Sequence, residues 1–211
     1  MAKGRFITFE GGEGCGKSTQ VRRLADELMR RGVPVLLTRE PGGTRLSELI
    51  RSLLKEETED PPVDRAELLL FLAARAQLVA ETIRPALEAG TWVVSDRFSD
   101  STFAYQGYGR GLPLNELQLM NGFACEGLRP DLTLLLDVEP ETAAARLRGR
   151  EEATGTGADR IELAGEDFHR RLRAGFLEMA AAEPDRIRRI DANGAPDEVF
   201  AAVLAEAEVF L

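Results

Sequence analysis

A glycine-rich segment near the start of the chain has the residue types that bind phosphate groups. It reads Gly11-Gly12-Glu13-Gly14-Cys15-Gly16-Lys17-Ser18 and fits the pattern G-x-x-x-x-G-K-[ST] without a mismatch. Glycines let backbone N–H groups surround an anion, and a following helix adds partial positive charge at its N-terminus. Lys17 can reach the β- and γ-phosphates of ATP, Ser18 can ligate Mg²⁺, and Thr19 continues the loop. The segment therefore predicts a site for ATP and Mg²⁺.

A second cluster of charged residues follows an apolar, strand-length segment. Ser95-Asp96-Arg97 ends this segment, and ligands of open α/β sheets bind at the carboxyl ends of the strands. Arg97 there could hold the phosphate of an acceptor. Asp96 could hold Mg²⁺ through water or orient an arginine. The alternative is an ion pair at the end of a strand, with no ligand.

Two pairs of residues at helical spacing could meet a planar base. Phe71 and Arg75 are four residues apart and would share a helix face, as would Ser101 and Tyr105, with Gln106 adjacent. A ring can stack on a base while a guanidinium bonds a carbonyl at its edge. Spacing alone favours the plainer interpretation, in which Phe71 belongs to the core and Arg75 is solvated.

The elements that must position these residues alternate between strands and helices. Strands are expected at 5–10, 33–38, 91–95, 131–137 and 186–190, and helices at 17–31, 44–55, 64–89 and 196–211. This alternation predicts an α/β fold: a doubly wound, five-stranded parallel sheet with helices on both faces. Residues 148–165 combine arginines with Thr-Gly-Thr-Gly and little apolar content, which predicts a mobile lid over the site.

Composition and charge limit the classes of function. The 211 residues suit a single domain, 1–211, and the net charge of −9 argues against non-specific nucleic-acid binding. Cys15 and Cys125 form neither a disulfide framework nor a metal-ligand pattern. We expect no signal peptide and no membrane contact, because no apolar run approaches the roughly 20 residues of a membrane-spanning helix. A cytoplasmic location follows as an expectation.

The chemistry expected for this site needs no dedicated histidine. The phosphate of a nucleoside monophosphate is already ionised near neutral pH, so catalysis consists of aligning two anions and neutralising charge. His169, the single histidine, is expected at the surface or in packing. The chain also lacks the Asn-Lys-x-Asp element with which GTPases read guanine.

Several blocks together resemble the thymidylate kinase family, in the family's order and over almost the whole chain. The blocks are Phe9–Gln20, Thr38–Gly43, Leu70-Phe71 with Arg75-Ala76-Gln77, Asp96–Phe98, Ser101, Ala104–Gly107, and Arg129–Asp131 leading into Leu134–Asp137. The resemblance implies a P-loop NTPase fold and transfer of phosphate from MgATP to dTMP, giving dTDP and ADP. It also implies a homodimer.

The resemblance implies a role for each matched residue. Phe71 would stack on thymine, Arg75 would bond a base carbonyl, and Ser101 would read the base edge. Tyr105 would pack where a 2′-hydroxyl would sit, and Gln106 would border the base or sugar. Arg97 and Arg39 would bind the acceptor phosphate. Glu13 would lie near the 3′-hydroxyl of the sugar.

The phosphate loop departs from part of the family. Some members carry an arginine where this chain has Gly14, and others supply it from the lid. Here the lid region offers Arg148, Arg150 and Arg160. We expect one or more of them to close over the transferring phosphate and exclude water. The sequence leaves open which of the three does so.

Two other functions remain open at this stage. The first is another deoxynucleotide kinase or a deoxynucleoside kinase on the same scaffold, in which a carboxylate such as Glu13 or Glu40 would activate a neutral hydroxyl. The second is a P-loop switch protein whose ATP state controls a partner. Such a switch would need no acceptor pocket.

Overall fold

Five parallel strands form one sheet, in the order β2-β3-β1-β4-β5. The computed structural model describes residues 3–56, 58–155 and 165–211. The strands are β1 (Phe6–Glu10), β2 (Val35–Arg39), β3 (Trp92–Asp96), β4 (Leu132–Asp137) and β5 (Ile187–Asp191). The predicted five-stranded parallel sheet is therefore confirmed, with strand ends shifted by one or two residues.

Helices connect the strands and cover the sheet. They are α1 (Lys17–Arg30), α2 (Arg45–Lys55), α3 (Asp64–Leu78), α4 (Arg84–Glu88), α5 (Ser99–Thr102), α6 (Leu114–Ala124), α7 (Pro140–Thr154), α8 (Glu166–Ala182) and α9 (Pro196–Ala207). Val79–Ile83 and Phe103–Gly109 are π-helical and continue α3 and α5, and Glu208–Phe210 is a short 3₁₀ turn. The helix predicted at 64–89 is thus one run of helix with a π-helical insert.

Apolar side chains cover both faces of the sheet, which explains the continuous apolar runs of the central strands. All five residues of β1 and all six of β4 are buried. Leu24 and Leu28 of α1 and Val203 of α9 pack in one core cluster with Ile7 and Phe9. A second cluster joins Phe6 and Val93 to the α3–α4 helix run and Phe98. Strands buried on both faces are typical of parallel α/β sheets.

The order of the strands brings the two predicted phosphate sites together. β1 lies beside β3, and Phe9 pairs with Asp96. The backbone N–H of Arg97 continues the ladder by donating to the Phe9 carbonyl at 2.9 Å. The loop after β1 and the residues after β3 therefore share the carboxyl edge of the sheet.

The lid region is only partly described. Residues 148–154 form the last turns of α7, and Gly155 follows in a left-handed conformation with φ 66°. Arg160 lies outside the described residues. No described helix combines the length and apolarity needed to cross a membrane.

Candidate active site

The phosphate loop connects the central strand β1 to α1. Gly16 precedes the helix with φ 89°, no side chain caps this end, and the first turn contains no acidic residue. The N–H groups of a helix's first turn lack intrahelical partners, so this end favours an anion. At Gly14, φ is 71° and a Cβ would lie 2.6 Å from the Ala143 carbonyl oxygen. A side chain at position 14 would therefore be strained and would collide with α7, so glycine is required here.

Lys17 lies over its own loop. Its ammonium group donates to the carbonyls of Gly11 at 3.1 Å and Gly12 at 2.7 Å, and only 7% of the residue is exposed. The positive charge is thus held inside the loop, where an ATP phosphate would lie. Cys15 is buried beneath it, with its sulfur 3.5 Å from the Lys17 nitrogen.

Ser18 and Asp96 form the part of the site that fits a magnesium ion. The Ser18 hydroxyl donates to Asp96 Oδ2 at 3.0 Å, so the two oxygens lie side by side next to the loop. Mg²⁺ prefers oxygen ligands and commonly uses one or two protein groups together with substrate phosphates. The described residues contain no group of three or more His, Cys, Asp or Glu that could hold a metal alone. The donor set therefore fits a metal that arrives with a nucleotide.

Arg97 is held by the phosphate loop as well as by its own strand. Its guanidinium donates to the Glu13 carboxylate and to the Gly11 carbonyl at 2.9 Å, and lies 4.9 Å from the Tyr105 ring centroid. The Tyr105 hydroxyl donates to Glu13 at 3.1 Å. Burial opposes ionisation of Glu13, but the charges of Arg97 and Lys17 lower its pKa to about 2. The carboxylate therefore stays ionised and anchors the arginine.

Arg97 has an unusual backbone that its neighbours stabilise. Its φ is 74°, a left-handed conformation that costs a non-glycine residue about 1–3 kcal/mol. The Ser95 hydroxyl donates to the Arg97 carbonyl at 2.7 Å. Glu10, the last residue of β1, accepts from the backbone N–H of Phe98 at 2.8 Å and from the Ser101 hydroxyl at 2.6 Å. These contacts fix the turn that aims the Arg97 guanidinium.

Glu10 is completely buried, which changes its acidity. Burial is the largest influence and Asp100 adds to it, so that the pKa of Glu10 rises to about 7. Arg97 and the hydrogen bonds from Ser101 and Phe98 act in the opposite direction. The sequence analysis missed this residue, although a glutamate ending an otherwise apolar buried strand is a usable signal.

Arg75 is buried and uses all five of its N–H donors within the protein. The acceptors are Glu40 (twice, 2.8 and 2.6 Å), Thr102 (2.7 Å), Asn121 (2.5 Å) and the Phe98 carbonyl (3.1 Å). The interpretation of Arg75 as a solvated surface residue is therefore wrong. Contact with a base carbonyl stays a prediction, and it would replace one of these bonds.

One cavity of about 540 Å³ contains most of the predicted residues. Those lining it are Glu13, Gly14, Gly16, Lys17, Ser18, Thr19, Arg39, Phe71, Arg75, Asp96, Arg97, Ser101, Tyr105, Gln106 and Arg150. The lining also includes Glu40, which was named only as a base for the alternative nucleoside kinase. Six further lining residues had no predicted role: Pro41, Arg51, Lys55, Thr102, Arg146 and Leu147. Gly11, Gly12, Cys15 and Arg148 do not line it. The phosphate loop and the Phe71–Arg75 face thus share one space.

Helix α7 places its arginines on different faces. Arg146 and Arg150 are four residues apart and both line the cavity, whereas Arg148 lies between them and does not. Arg146 donates to the carbonyls of Ala192 at 2.8 Å and Gly194 at 3.1 Å. The structure thus separates two of the three predicted lid arginines.

Comparison with known proteins identifies the family that shares this arrangement. A family model described as thymidylate kinase matches residues 9–203. The chain belongs to the thymidylate kinase family. Thymidylate kinases of Solidesulfovibrio magneticus and Trichlorobacter lovleyi are 51% and 48% identical to it, over 94% of this chain and 96% and 94% of theirs. A crystal structure of thymidylate kinase from Ehrlichia chaffeensis has a TM-score of 0.78 and 33% identity, covering 97% of this chain and 99% of that one.

Membership of the thymidylate kinase family confirms the family predicted from the sequence blocks. The structural similarity also confirms the P-loop NTPase fold. The roles of individual residues are not tested by these similarities and stay predictions.

Replacing Glu10 with glutamine should alter how stability depends on pH. A carboxyl whose pKa rises from 4.5 to about 7 on folding stabilises the native state at low pH, and this contribution is lost as pH rises through that window. The charged side chains of Asp100 and Arg97 face position 10 in both wild type and Glu10→Gln. Between pH 5 and pH 8, the free energy of unfolding of wild type should therefore fall by up to about 3 kcal/mol relative to that of Glu10→Gln.

Urea unfolding of both proteins at the two pH values measures this difference. Glu59→Gln, at an exposed loop position, is the control and should show no such change. If the difference in unfolding free energy between wild type and Glu10→Gln were the same at both pH values, Glu10 would not take up a proton on folding.

Proposed function

We propose that this chain transfers the γ-phosphate of ATP to dTMP, giving ADP and dTDP. The observation that supports it most is the single cavity, which joins the phosphate loop to the Phe71–Arg75 face in a chain of the thymidylate kinase family. The loop suits the donor nucleotide, and the aromatic and guanidinium groups suit a base. A P-loop switch protein would need only the part of this cavity that the phosphate loop lines.

The reaction requires alignment and charge neutralisation. An ionised phosphate oxygen of dTMP attacks the γ-phosphorus, and the bond from that phosphorus to the β,γ-bridging oxygen breaks as ADP leaves. Lys17 neutralises the ATP phosphates from inside the loop, and Arg97 holds the attacking phosphate in line.

Magnesium is part of the proposal, held by Ser18 and Asp96 beside the phosphates. It would neutralise the negative charge on the transferring group. The Ser18–Asp96 contact of 3.0 Å supports these two residues as its protein partners.

The remaining contacts are assigned by position within the cavity. Phe71 stacks on the base and Arg75 lies at its edge with Ser101. Tyr105 and Glu13, which bond each other at 3.1 Å, lie at the sugar, where the Tyr105 ring would pack against the position of a 2′-hydroxyl. Arg39 is a weaker assignment to the phosphate, because it is half exposed and paired with Glu48 at 2.8 Å. A cytoplasmic location is supported by two free, buried thiols.

A panel of acceptors tests the proposed reaction directly. ADP release is measured with dTMP, dUMP, dCMP, AMP, GMP, UMP and thymidine, and we expect strong stimulation by dTMP with dTDP as product. Arg97→Ala should lower kcat/KM for dTMP at least about a hundredfold, because a buried charge-assisted contact to the phosphate is lost.

Arg30→Ala is the matched control, since Arg30 is 71% exposed on the outer face of α1. Stimulation by another acceptor would keep the fold and chemistry but overturn the base assignments. Near-normal activity of Arg97→Ala would remove that residue from the phosphate site.

The lid arginines differ in their access to the cavity, which gives a second test. Arg150→Ala should lower kcat at least about tenfold, because a positive charge near the transferring phosphate is lost. Arg148→Ala should stay near wild type, since Arg148 does not line the cavity. Steady-state kinetics with ATP and dTMP give both values. Equal losses in the two variants would contradict the distinction between Arg148 and Arg150, and no loss in Arg150→Ala would leave Arg160 as the candidate.

We also propose that the chain forms a homodimer, as the family resemblance implies. Large apolar side chains are exposed on the adjacent helices α2, α3 and α6: Leu49 (59%), Leu53 (55%), Leu69 (58%), Leu119 (75%) and Phe123 (88%). An apolar surface spread over neighbouring helices is typical of an interface.

A charge on this surface should dissociate the dimer. Phe123→Glu should sediment as a monomer of about half the wild-type mass, because an unpaired carboxylate would be buried in the interface. Val209→Glu is the control, since Val209 is 80% exposed on the 3₁₀ turn that follows α9. A wild-type chain that sediments as a monomer at micromolar concentration would contradict the proposal.

A further inference from the structure

The side-chain amide of Gln106 lies in the part of the cavity assigned to the base. Gln106 belongs to the π-helical segment Phe103–Gly109, is 2% exposed, and lines the cavity together with Phe71 and Arg75. Its nitrogen Nε2 donates to Glu67 Oε1 at 3.0 Å. One end of this amide is therefore already committed to a protein partner.

Glu67 is an unusual residue to find at this depth. It is 1% exposed and lies four residues before Phe71 and eight before Arg75, on the same face of α3. Its second oxygen lies 3.4 Å from the guanidinium of Arg110, which provides a balancing charge. The three residues form one stripe that faces the cavity and its border.

The carboxylate of Glu67 determines which way the amide of Gln106 can face. An ionised carboxylate only accepts hydrogen bonds, whereas an amide has a donating nitrogen and an accepting oxygen. With its oxygen toward Glu67, the amide would place two acceptor oxygens against each other, and two acceptors repel. The observed orientation is therefore the only favourable one.

The opposite end of the amide is available to a ligand. Among the described residues, no donor reaches Gln106 Oε1, and the fully buried side-chain atoms without a partner do not include it. An atom that has no partner among the described residues and is not fully buried has access to open space, and the open space that Gln106 lines is this cavity. The protein thus presents a carbonyl oxygen, an acceptor, beside Phe71.

We propose that Glu67 is a positioning residue that fixes the Gln106 carbonyl toward the base and so selects pyrimidines that carry a hydrogen on N3. This inference rests on the proposed function, in which the base lies against Phe71. Thymine and uracil have an N3–H donor between two carbonyls. Cytosine has an N3 acceptor, which would face the Gln106 oxygen with no hydrogen between them.

The exchange of Glu67 for glutamine tests this inference, because glutamine can donate as well as accept. In Glu67→Gln the Gln106 amide can rotate, and its nitrogen can then donate to N3 of cytosine. The ratio of kcat/KM for dTMP to that for dCMP should fall at least about tenfold, since one mismatched buried hydrogen bond is relieved. A purely structural role for Glu67 would lower both values together and leave the ratio unchanged.

Glu67→Ala provides a second variant, in which a water molecule takes the place of the carboxylate and also permits both amide orientations. We expect the same fall in the ratio of kcat/KM for dTMP to that for dCMP. If one of the two variants does not fold, the other still tests the inference. Glu48→Gln, at a half-exposed glutamate of α2, is the control for loss of a negative charge and should keep the wild-type ratio.

Gln106→Ala separates this inference from the proposed function. A wild-type KM for dTMP in Gln106→Ala would show that the base does not contact Gln106, and the proposed placement of the base would fail. A raised KM for dTMP in Gln106→Ala, with an unchanged dTMP:dCMP ratio in both Glu67 variants, would overturn the role of Glu67 alone.

Discussion

The buried carboxylate of Glu10 connects the two strand ends on which the rest of the site depends. It ends β1, directly before the phosphate loop, and accepts hydrogen bonds from Phe98 and Ser101, directly after Arg97 on β3. The phosphate loop and Arg97, the residue proposed to hold the acceptor phosphate, are therefore connected through one side chain. A second set of contacts connects the same two segments, because the Arg97 guanidinium donates to the Glu13 carboxylate and to the Gly11 carbonyl of the phosphate loop. In-line transfer needs two phosphates at a fixed separation, and in the proposed reaction these contacts would hold the two binding groups at that separation.

Helix α3 supplies the other half of the site by burying charged residues on one face. Glu67, Phe71 and Arg75 recur every four residues, and the two charged members are almost completely buried. Each is matched by partners from other elements: Glu40 and Asn121 for Arg75, Gln106 and Arg110 for Glu67. Removing one partner of a buried ion pair leaves the other charge buried and uncompensated, which is strongly destabilising. These groups therefore act together to hold the face of α3 that carries Phe71 and Arg75 against the cavity.

The sequence predicts the parts of this protein that are specified locally. The phosphate loop is recognisable because its glycines, Lys17 and Ser18 are contiguous, and the strands because apolar runs reflect burial on both faces. Glu10, Asn121 and Glu67 could not be assigned in this way, because the contacts that connect them to the site, with Phe98, Arg75 and Gln106 respectively, span 39 or more residues of the chain. Helix α7 extends to Thr154, within the predicted lid, since charged residues with few apolar neighbours also suit a solvent-exposed helix.

All five N–H donors of Arg75 already have protein acceptors, and this affects how tightly the base of a substrate or product can be bound. A base carbonyl that reached Arg75 would replace an internal hydrogen bond, so its net gain in free energy would be small. dTMP and dTDP carry the same base and would be held equally at this point. In the proposed reaction, the Arg75 contact would therefore add little to the affinity for either nucleotide, and discrimination between substrate and product would depend on the phosphate groups, whose number and position change during the reaction.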